Sequence, residues 1–426
     1  MIKDKKKCFY ENKLKDNVGK PKELWKTLKS LGLPNSCSSS TKFCLKKDNV
    51  LYFDEKSIST IFKNFFSNLA ENLVSKLPIP PNKFGISSVR SYYAKNKDLV
   101  NSSFKFSIVN REDILKILLD IKPEKAAGID GISGRFLKDG ALILAEPISQ
   151  ISNLSIKLSV FPSEFKTAKL KLLYKKGSKT DPKNYRPISL LPIISKIIER
   201  VVYNQTESFL NDKNVLYRYQ SAIIRKNVST NFCPTYPCDI MLSGFDSGYH
   251  TGMILIDLQK AFDTLSHNIL LEKMCFIGFS KEVISWYRSY LSQRYFKVNI
   301  NKHFSEPGSV TCGVPQGSIL GPLLFLLYVN DISQSVDSEL LLYADDSCLV
   351  YQHKSVEIIE EKLNKDFSNI CDWFVDNKLS IHFGEDKTKS ILFCSKHKVK
   401  QAIIRLLIWA VFLTTLYQEN LWHCML

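Results

Sequence analysis

The chain reads as an α+β protein, and three features of its 426 residues say so. Leu340-Leu341-Leu342-Tyr343 and Ser347-Cys348-Leu349-Val350 are apolar runs flanking Ala344-Asp345-Asp346, the pattern of a hairpin with two carboxylates at its tip. Met253-Ile254-Leu255-Ile256-Asp257 is a further apolar run, that of a buried strand closed by an acid at its C-terminal end. Stretches such as Lys281 to Leu291, with Ile284, Tyr287 and Leu291 on one face and Trp286 beside it, carry the spacing of amphipathic helices.

Length and composition bound the rest. A chain of 426 residues can form two or three domains with a sizeable core. With 44% hydrophobic and 12% aromatic residues it is not a disordered protein. Lys and Arg number 59 against 42 Asp and Glu, a net charge of +17 with a pI near 9.2. That excess suits a polyanionic partner, because basic groups on a nucleic-acid backbone release counterions, although it also serves solubility. Eleven cysteines lack any CxxC pair and read as reduced, buried thiols of an intracellular protein rather than zinc ligands. Met1 to Lys7 is basic with no apolar run behind it, so no signal peptide is expected.

In chain order, the first hundred residues are rich in Lys, Asn and Ser. Pro21 to Leu31 (Leu24, Trp25, Leu28 and Leu31) and Ile58 to Leu77 carry helical packing faces, and Leu77-Pro78-Ile79-Pro80-Pro81 reads as a linker. A helix is expected over Arg111 to Ile121, then a glycine-containing loop from Lys122 to Ile132, then a core helix from about Gly140 to Leu158. Phe165 to Tyr174, Lys175-Lys176-Gly177-Ser178 and Asn184 to Leu191 make a strand, turn and strand. The basic residues at such a junction either reach a triphosphate or coat a solvated tip. Ile193 to Leu210 reads as a structural helix.

Asp257 ends a rigid element and so can hold a ligand accurately, provided the fold sets its strand beside that of Asp345. His267 reads as a packing or capping residue, since no neighbour in sequence offers it a partner. Short strands are expected at Phe296 to Ile300 and Ser309 to Cys312. The glycines around Gln316, in Gly313 to Gly321, imply close backbone approach, and Pro322 falls in the first turn of a buried helix too short to span a membrane. Taken alone, Tyr343-Ala344-Asp345-Asp346 is more often an ordinary surface turn. Two adjacent carboxylates do, however, repel unless a cation lies beside them, and Mg²⁺ or Mn²⁺ suits such oxygen ligands.

The ordered set is more specific than any member. Asn184-Tyr185-Arg186-Pro187-Ile188-Ser189, Asp257 with Ala261-Phe262-Asp263, Gly313-Val314-Pro315-Gln316-Gly317, Tyr343-Ala344-Asp345-Asp346, and Asn377-Lys378-Leu379-Ser380 with Asp386-Lys387-Thr388-Lys389 together resemble the reverse transcriptase domain of non-LTR (LINE-type) retrotransposons. The resemblance covers roughly residues 105–398 and implies a right-hand polymerase of fingers and palm, with an antiparallel palm sheet backed by helices. It implies that Asp257, Asp345 and Asp346 hold two Mg²⁺ or Mn²⁺ ions for transfer of a nucleotide from a dNTP to a primer 3′-hydroxyl. It further implies that Phe262 is the aromatic gate under the deoxyribose and that Lys176 and Arg186, with Lys175, contact the triphosphate. Gln316 and Gly317 would line the incoming nucleotide and template, and Lys387 would donate a proton to pyrophosphate. The implied partners are an RNA template, a DNA primer and dNTPs, in nucleus and cytoplasm; no partner protein is inferable, and the apolar run Leu406 to Tyr417 is shorter than a bilayer span, which disfavours a membrane anchor.

Departures shape the remaining expectations. In Tyr219 to Asn227, which looks like the family's template-contacting turn, Ala222-Ile223-Ile224 replaces a glycine-aromatic pair. Residues 1–104 look like a basic connector, 105–400 like fingers and palm with a palm core at about 250–395, and 401–426 like an aberrant apolar tail from a frameshift near residue 400, which would leave the thumb missing. The alternatives are a catalytically inactive RNA-binding remnant, a group II intron-type maturase and, on the tail alone, a membrane-anchored interaction protein.

Overall fold

The computed structural model describes residues 43–95, 99, 103–221, 232–301, 303–383 and 387–394, with 232–235 described by backbone only. The expected helix at Pro21 to Leu31, the segment from Ala222 to Asn227, Asp386 and the 401–426 tail lie outside the described residues.

Two strands, β1 (Leu45–Lys47) and β2 (Val50–Tyr52), form a hairpin. Helix α1 (Glu55–Val74) follows, started by Asp54, whose side chain accepts from Ser57 N. Helices α2 (Ile86–Ala94), α3 (Arg111–Leu119), α4 (Gly134–Asp139) and α5 (Ala141–Leu158) come next. Asn110 and Asp113 close a capping box at the start of α3, which ends two residues before the expected Ile121. Strands β3 (Thr167–Tyr174) and β4 (Tyr185–Leu190) pair antiparallel, and α6 (Ile193–Asp212) follows. Then come α7 (Phe232–Asp246), β5 (His250–Ile256), the short α8 (Ala261–Thr264), α9 (His267–Ile277) and α10 (Lys281–Leu291). The chain continues with β6 (Arg294–Ile300), β7 (His303–Phe304), β8 (Gly308–Val310) and α11 (Leu320–Val329). It closes with β9 (Glu339–Tyr343), β10 (Asp346–His353), α12 (Val356–Asp376) and β11 (Lys389–Phe393).

The expectation of a protein built from both sheets and helices is met, with two larger sheets. One is fully antiparallel, in the order β11-β5-β10-β9. The other runs β4-β3-β6-β7 with β8 also on β6, and its β3–β6 pair is parallel. Helices α11 and α12 supply Phe325, Tyr328, Phe367 and Trp373 to a core shared with Ile254, Leu340 and Leu349 of the antiparallel sheet. That sheet therefore rests on a rigid apolar bed while its strand ends stay accessible. The second sheet buries Leu170, Phe296 and Val298 against Leu45 of β1 and Ile58 and Phe62 of α1. Among the described residues, no helix is long and apolar enough to cross a membrane. Cys44, Cys238, Cys275, Cys312, Cys348, Cys371 and Cys394 are free thiols, but of these only Cys371 is buried and Cys238 and Cys275 are exposed, against the expectation of buried thiols.

Several readings need correction. The strand expected at Ser309 to Cys312 is shorter and begins at Gly308, because its register is set by pairing with Arg294 to Phe296. Trp286, beside the buried face of α10, is itself fully buried, with its ring N–H donating to the Ser155 hydroxyl at 2.9 Å. His267 does have a partner: Nε2 lies 2.7 Å from the carbonyl oxygen of Gly313, a residue distant in sequence. Burial holds its pKa below the ordinary histidine value, with that hydrogen bond opposing, so it serves packing.

Candidate active site

Strands β5 and β10 gather the aspartates at one end of the antiparallel sheet. Their ladder ends at Ser347 opposite Ile256, and one further step in the same register sets Asp346 across from Asp257. Strand β9 folds back on β10 with Tyr343 opposite Asp346, leaving Ala344 and Asp345 as a two-residue turn. Ala344 takes a left-handed φ of 54°, a conformation that costs a residue with a side chain roughly 1–2 kcal/mol. The turn is held from outside: Gln220 Oε1 accepts from Ala344 N at 3.3 Å, and Ser221 N donates to Leu342 O at 2.9 Å.

Asp257 is clasped by a segment far along the chain. Its carbonyl accepts from His382 N at 2.8 Å, and Gln259 N donates to Ser380 O at 2.8 Å. The Thr388 hydroxyl accepts from Asp257 N at 3.4 Å and donates to His382 O at 3.2 Å. Lys387 Nζ donates to Asp257 Oδ2 at 2.5 Å. Antiparallel pairing of β11 with β5 sets this arrangement, since Lys389 lies opposite Leu255.

The charges interact as one group. Burial raises the Asp346 pKa above the ordinary carboxylate value, Asp345 and Asp257 push it further, and Lys387 opposes them. Burial lowers the Lys175 pKa, with Arg186 and Lys387 adding to the effect and Asp257 opposing it. Lys260 is likewise lowered by burial, with Asp263 opposing and Arg186 adding. Lys387 and Lys175 thus set positive charge beside the acids, with Arg186 and Lys260 next to Lys175.

Not every expected residue joins this cluster. Lys176 is exposed on the turn after β3, and no ion pair or hydrogen bond among the described residues ties it to the aspartates. Phe262 packs its ring on Phe325, with centroids 4.7 Å apart and planes at 29°. Gln316 Nε2 donates to both carboxylate oxygens of Asp263, at 2.9 and 3.0 Å, while the Gln316 backbone carbonyl accepts from Ser189 N at 2.8 Å. Gly317 has φ 122°, and a Cβ there would stand 2.6 Å from the Ser189 carbonyl oxygen, so only glycine lets β4 approach. Burial pushes the Asp263 pKa up to about 6, opposed by Lys260 and the Gln316 bond.

Sequence reasoning missed Lys260, Asp263 and Gln220 as site residues. Lys260 had no signal, being one of many basic residues. Asp263 had one: it is the lone acid of a turn that continues an apolar run.

Among the described residues, no three His, Cys, Asp or Glu side chains converge tightly enough to form a finished metal cage. The donor set nevertheless suits a hard divalent cation, because three acids focus negative charge at one strand end and one of them is already drawn to an ammonium.

The family model for reverse transcriptase (RNA-dependent DNA polymerase) matches residues 174–407, more than half of the chain. Among curated proteins, the chain is 27% identical over 294 residues to the "Probable RNA-directed DNA polymerase from transposon BS" of Drosophila melanogaster, covering 66% of this chain and 32% of that protein. It is 26% identical over 292 residues to the "Probable RNA-directed DNA polymerase from transposon X-element" of the same species, covering 67% and 32%. It is also 26% identical over 306 residues to that species' "RNA-directed DNA polymerase from mobile element jockey", covering 69% and 33%. The chain spans about a third of the length of these relatives.

Proposed function

The chain belongs to the reverse transcriptase (RNA-dependent DNA polymerase) family, and from that premise we propose that it is the polymerase domain of a non-LTR retrotransposon, extending a DNA primer on an RNA template with dNTPs. In this reading residues 105–400 comprise fingers and palm, with β3 and β4 in the fingers and the antiparallel sheet as the palm. The observation that carries it is the meeting of Asp257, Asp345 and Asp346 at one sheet end, with Lys387 and Lys175 beside them.

Asp257, Asp345 and Asp346 would hold two Mg²⁺ or Mn²⁺ ions, which when bound supply charge neutralisation at the triphosphate and a more acidic primer 3′-hydroxyl. Arg186 and Lys175, with Lys176 from the adjoining turn, bind the triphosphate, Arg186 as a fork and the lysines as point charges. Phe262, its ring fixed by Phe325, sits under the deoxyribose and excludes a 2′-hydroxyl. Gln316 and Gly317 shape the wall facing nucleotide and template, with Asp263 fixing the Gln316 amide. Lys387 Nζ, bonded to Asp257 in this structure, carries the proton that pyrophosphate takes on leaving.

The test is primer extension on an RNA template with Mg²⁺ and labelled dNTPs, comparing the chain with an Asp345→Ala/Asp346→Ala double variant. Extension by the former and none by the latter is expected. Salt-sensitive RNA binding by both proteins with extension by neither would overturn the reading in favour of a non-catalytic RNA-binding remnant.

A further inference from the structure

Glu199 of α6 is 0% exposed, and a carboxylate so placed is costly unless its oxygens are satisfied. Here they are. Oε2 accepts from Ile319 N at 2.7 Å and Leu320 N at 3.3 Å, and Oε1 accepts from the Ser195 hydroxyl at 3.0 Å. Arg294 of β6, itself buried, supplies a facing positive charge. Burial raises the Glu199 pKa, with Arg294 and the three hydrogen bonds opposing it.

Ile319 and Leu320 stand at the start of α11, a helix without a side-chain cap at its N-cap residue. The first amides of a helix are commonly capped by a neighbouring Ser, Thr, Asp or Asn, but here the acceptor comes from 120 positions earlier in the chain. This first turn follows directly on Gln316 and Gly317. Ser318 ties the two together, its hydroxyl donating to Pro315 O at 2.9 Å and accepting from Gly321 N at 3.0 Å. Tyr290, with the Arg294 guanidinium 4.5 Å over its ring, also hydrogen-bonds Ser318. In the other direction, only Leu191 and Pro192 separate α6 from β4, the strand of Arg186 and of Ser189, whose amide donates to Gln316 O at 2.8 Å. Glu199 therefore joins, from behind, the strand that carries Arg186 and the wall that carries Gln316 and Gly317.

We propose that Glu199 is a positioning residue for nucleotide binding: it pins the start of α11 to α6 and so holds the Gln316–Gly317 wall at a fixed distance from β4. The proposal rests on the polymerase reading above.

Two double variants isolate the anchor. Glu199→Leu/Arg294→Met and Glu199→Gln/Arg294→Met both remove the buried charge pair at similar volume, an exchange that is often neutral to stability when both charges go together. Only the second keeps an oxygen for Ile319 N and Leu320 N. In primer extension the Leu variant should show a KM for dNTP about ten-fold above that of the native chain and kcat within about three-fold of it, because the aspartates are untouched, and the Gln variant should restore both values. Hydrogen exchange of the full chain, read by mass spectrometry, should quicken over residues 313–321 in the Leu variant alone. Native KM in the Leu variant, an equal rise in both variants, or unchanged exchange over 313–321 overturns the proposal. So does exchange that quickens across both sheets while kcat falls and KM stays native, the mark of a purely structural cap. A native chain that extends no primer sinks the polymerase reading by itself, and the exchange comparison then decides the anchor. Should the Leu variant fail to fold, Ser195→Ala, which loosens the same carboxylate, should raise KM by roughly two- to three-fold with kcat unchanged, and a native KM there overturns the proposal.

Discussion

Lys387 and Asp257, 130 positions apart in the chain, meet at 2.5 Å where β11 pairs with β5. The ammonium occupies a position beside the acids where a divalent cation would compete with it. Lys387→Met should therefore leave the acids less compensated, so that Mg²⁺ raises the melting temperature of the variant more than that of the native chain. Primer extension should slow by roughly 10²-fold, the usual scale of a lost general acid. An unchanged Mg²⁺ effect in differential scanning fluorimetry would separate Lys387 from the metal-binding group.

Asp263 ties pH to stability. Its folded-state pKa of about 6 exceeds the 3.8 of an unperturbed aspartate because it is buried. The folded state therefore binds its proton more tightly, and the stability this contributes is full below about pH 4 and lost as pH rises through 6. The change is roughly 2–3 kcal/mol. Urea unfolding of the native chain and Asp263→Asn from pH 4 to 7 should show the native chain losing that amount relative to the variant. A difference that stays flat with pH would remove Asp263 as the titrating group.

Gly317→Ala would force a Cβ to 2.6 Å from the Ser189 carbonyl at a φ of 122°. The loop must then move away from β4, which carries Arg186. A loss of about 1–3 kcal/mol is expected from this strain, together with a rise in KM for dNTP, since the Gln316–Gly317 wall draws back from the strand that carries Arg186. Native KM and melting temperature in the variant would show that the contact tolerates a methyl group.

Lys273 and Asp331 form a buried pair at 2.5 Å, with Lys273 also donating to Tyr328 O at 2.6 Å and Asp331 accepting from Trp373 Nε1 at 3.1 Å. Lys273→Met strands the carboxylate and should cost about 3–5 kcal/mol. Combining it with Asp331→Leu should cost less than the single change. Denaturant unfolding of the three variants checks this, and strictly additive losses would deny that the two charges are coupled.

By itself the sequence determined the elements and the chemistry at their ends. The strand closing on Asp257, the hairpin carrying Asp345 and Asp346, and the helices from Ile193 and Lys281 were legible because apolar periodicity and turn residues act within a few positions along the chain. Tertiary structure alone decided which side chains share a site. The register of β10 on β5 set Asp346 across from Asp257, β11 delivered Lys387, and the approach of the Gly313 to Gly317 loop to the turn after β5 joined Gln316 to Asp263 and Gly313 to His267. No local pattern encodes these meetings, because strand order and register are settled by burial of whole faces, and a one-residue slip would turn each of these groups away. For the same reason Lys260 gained its place from the fold.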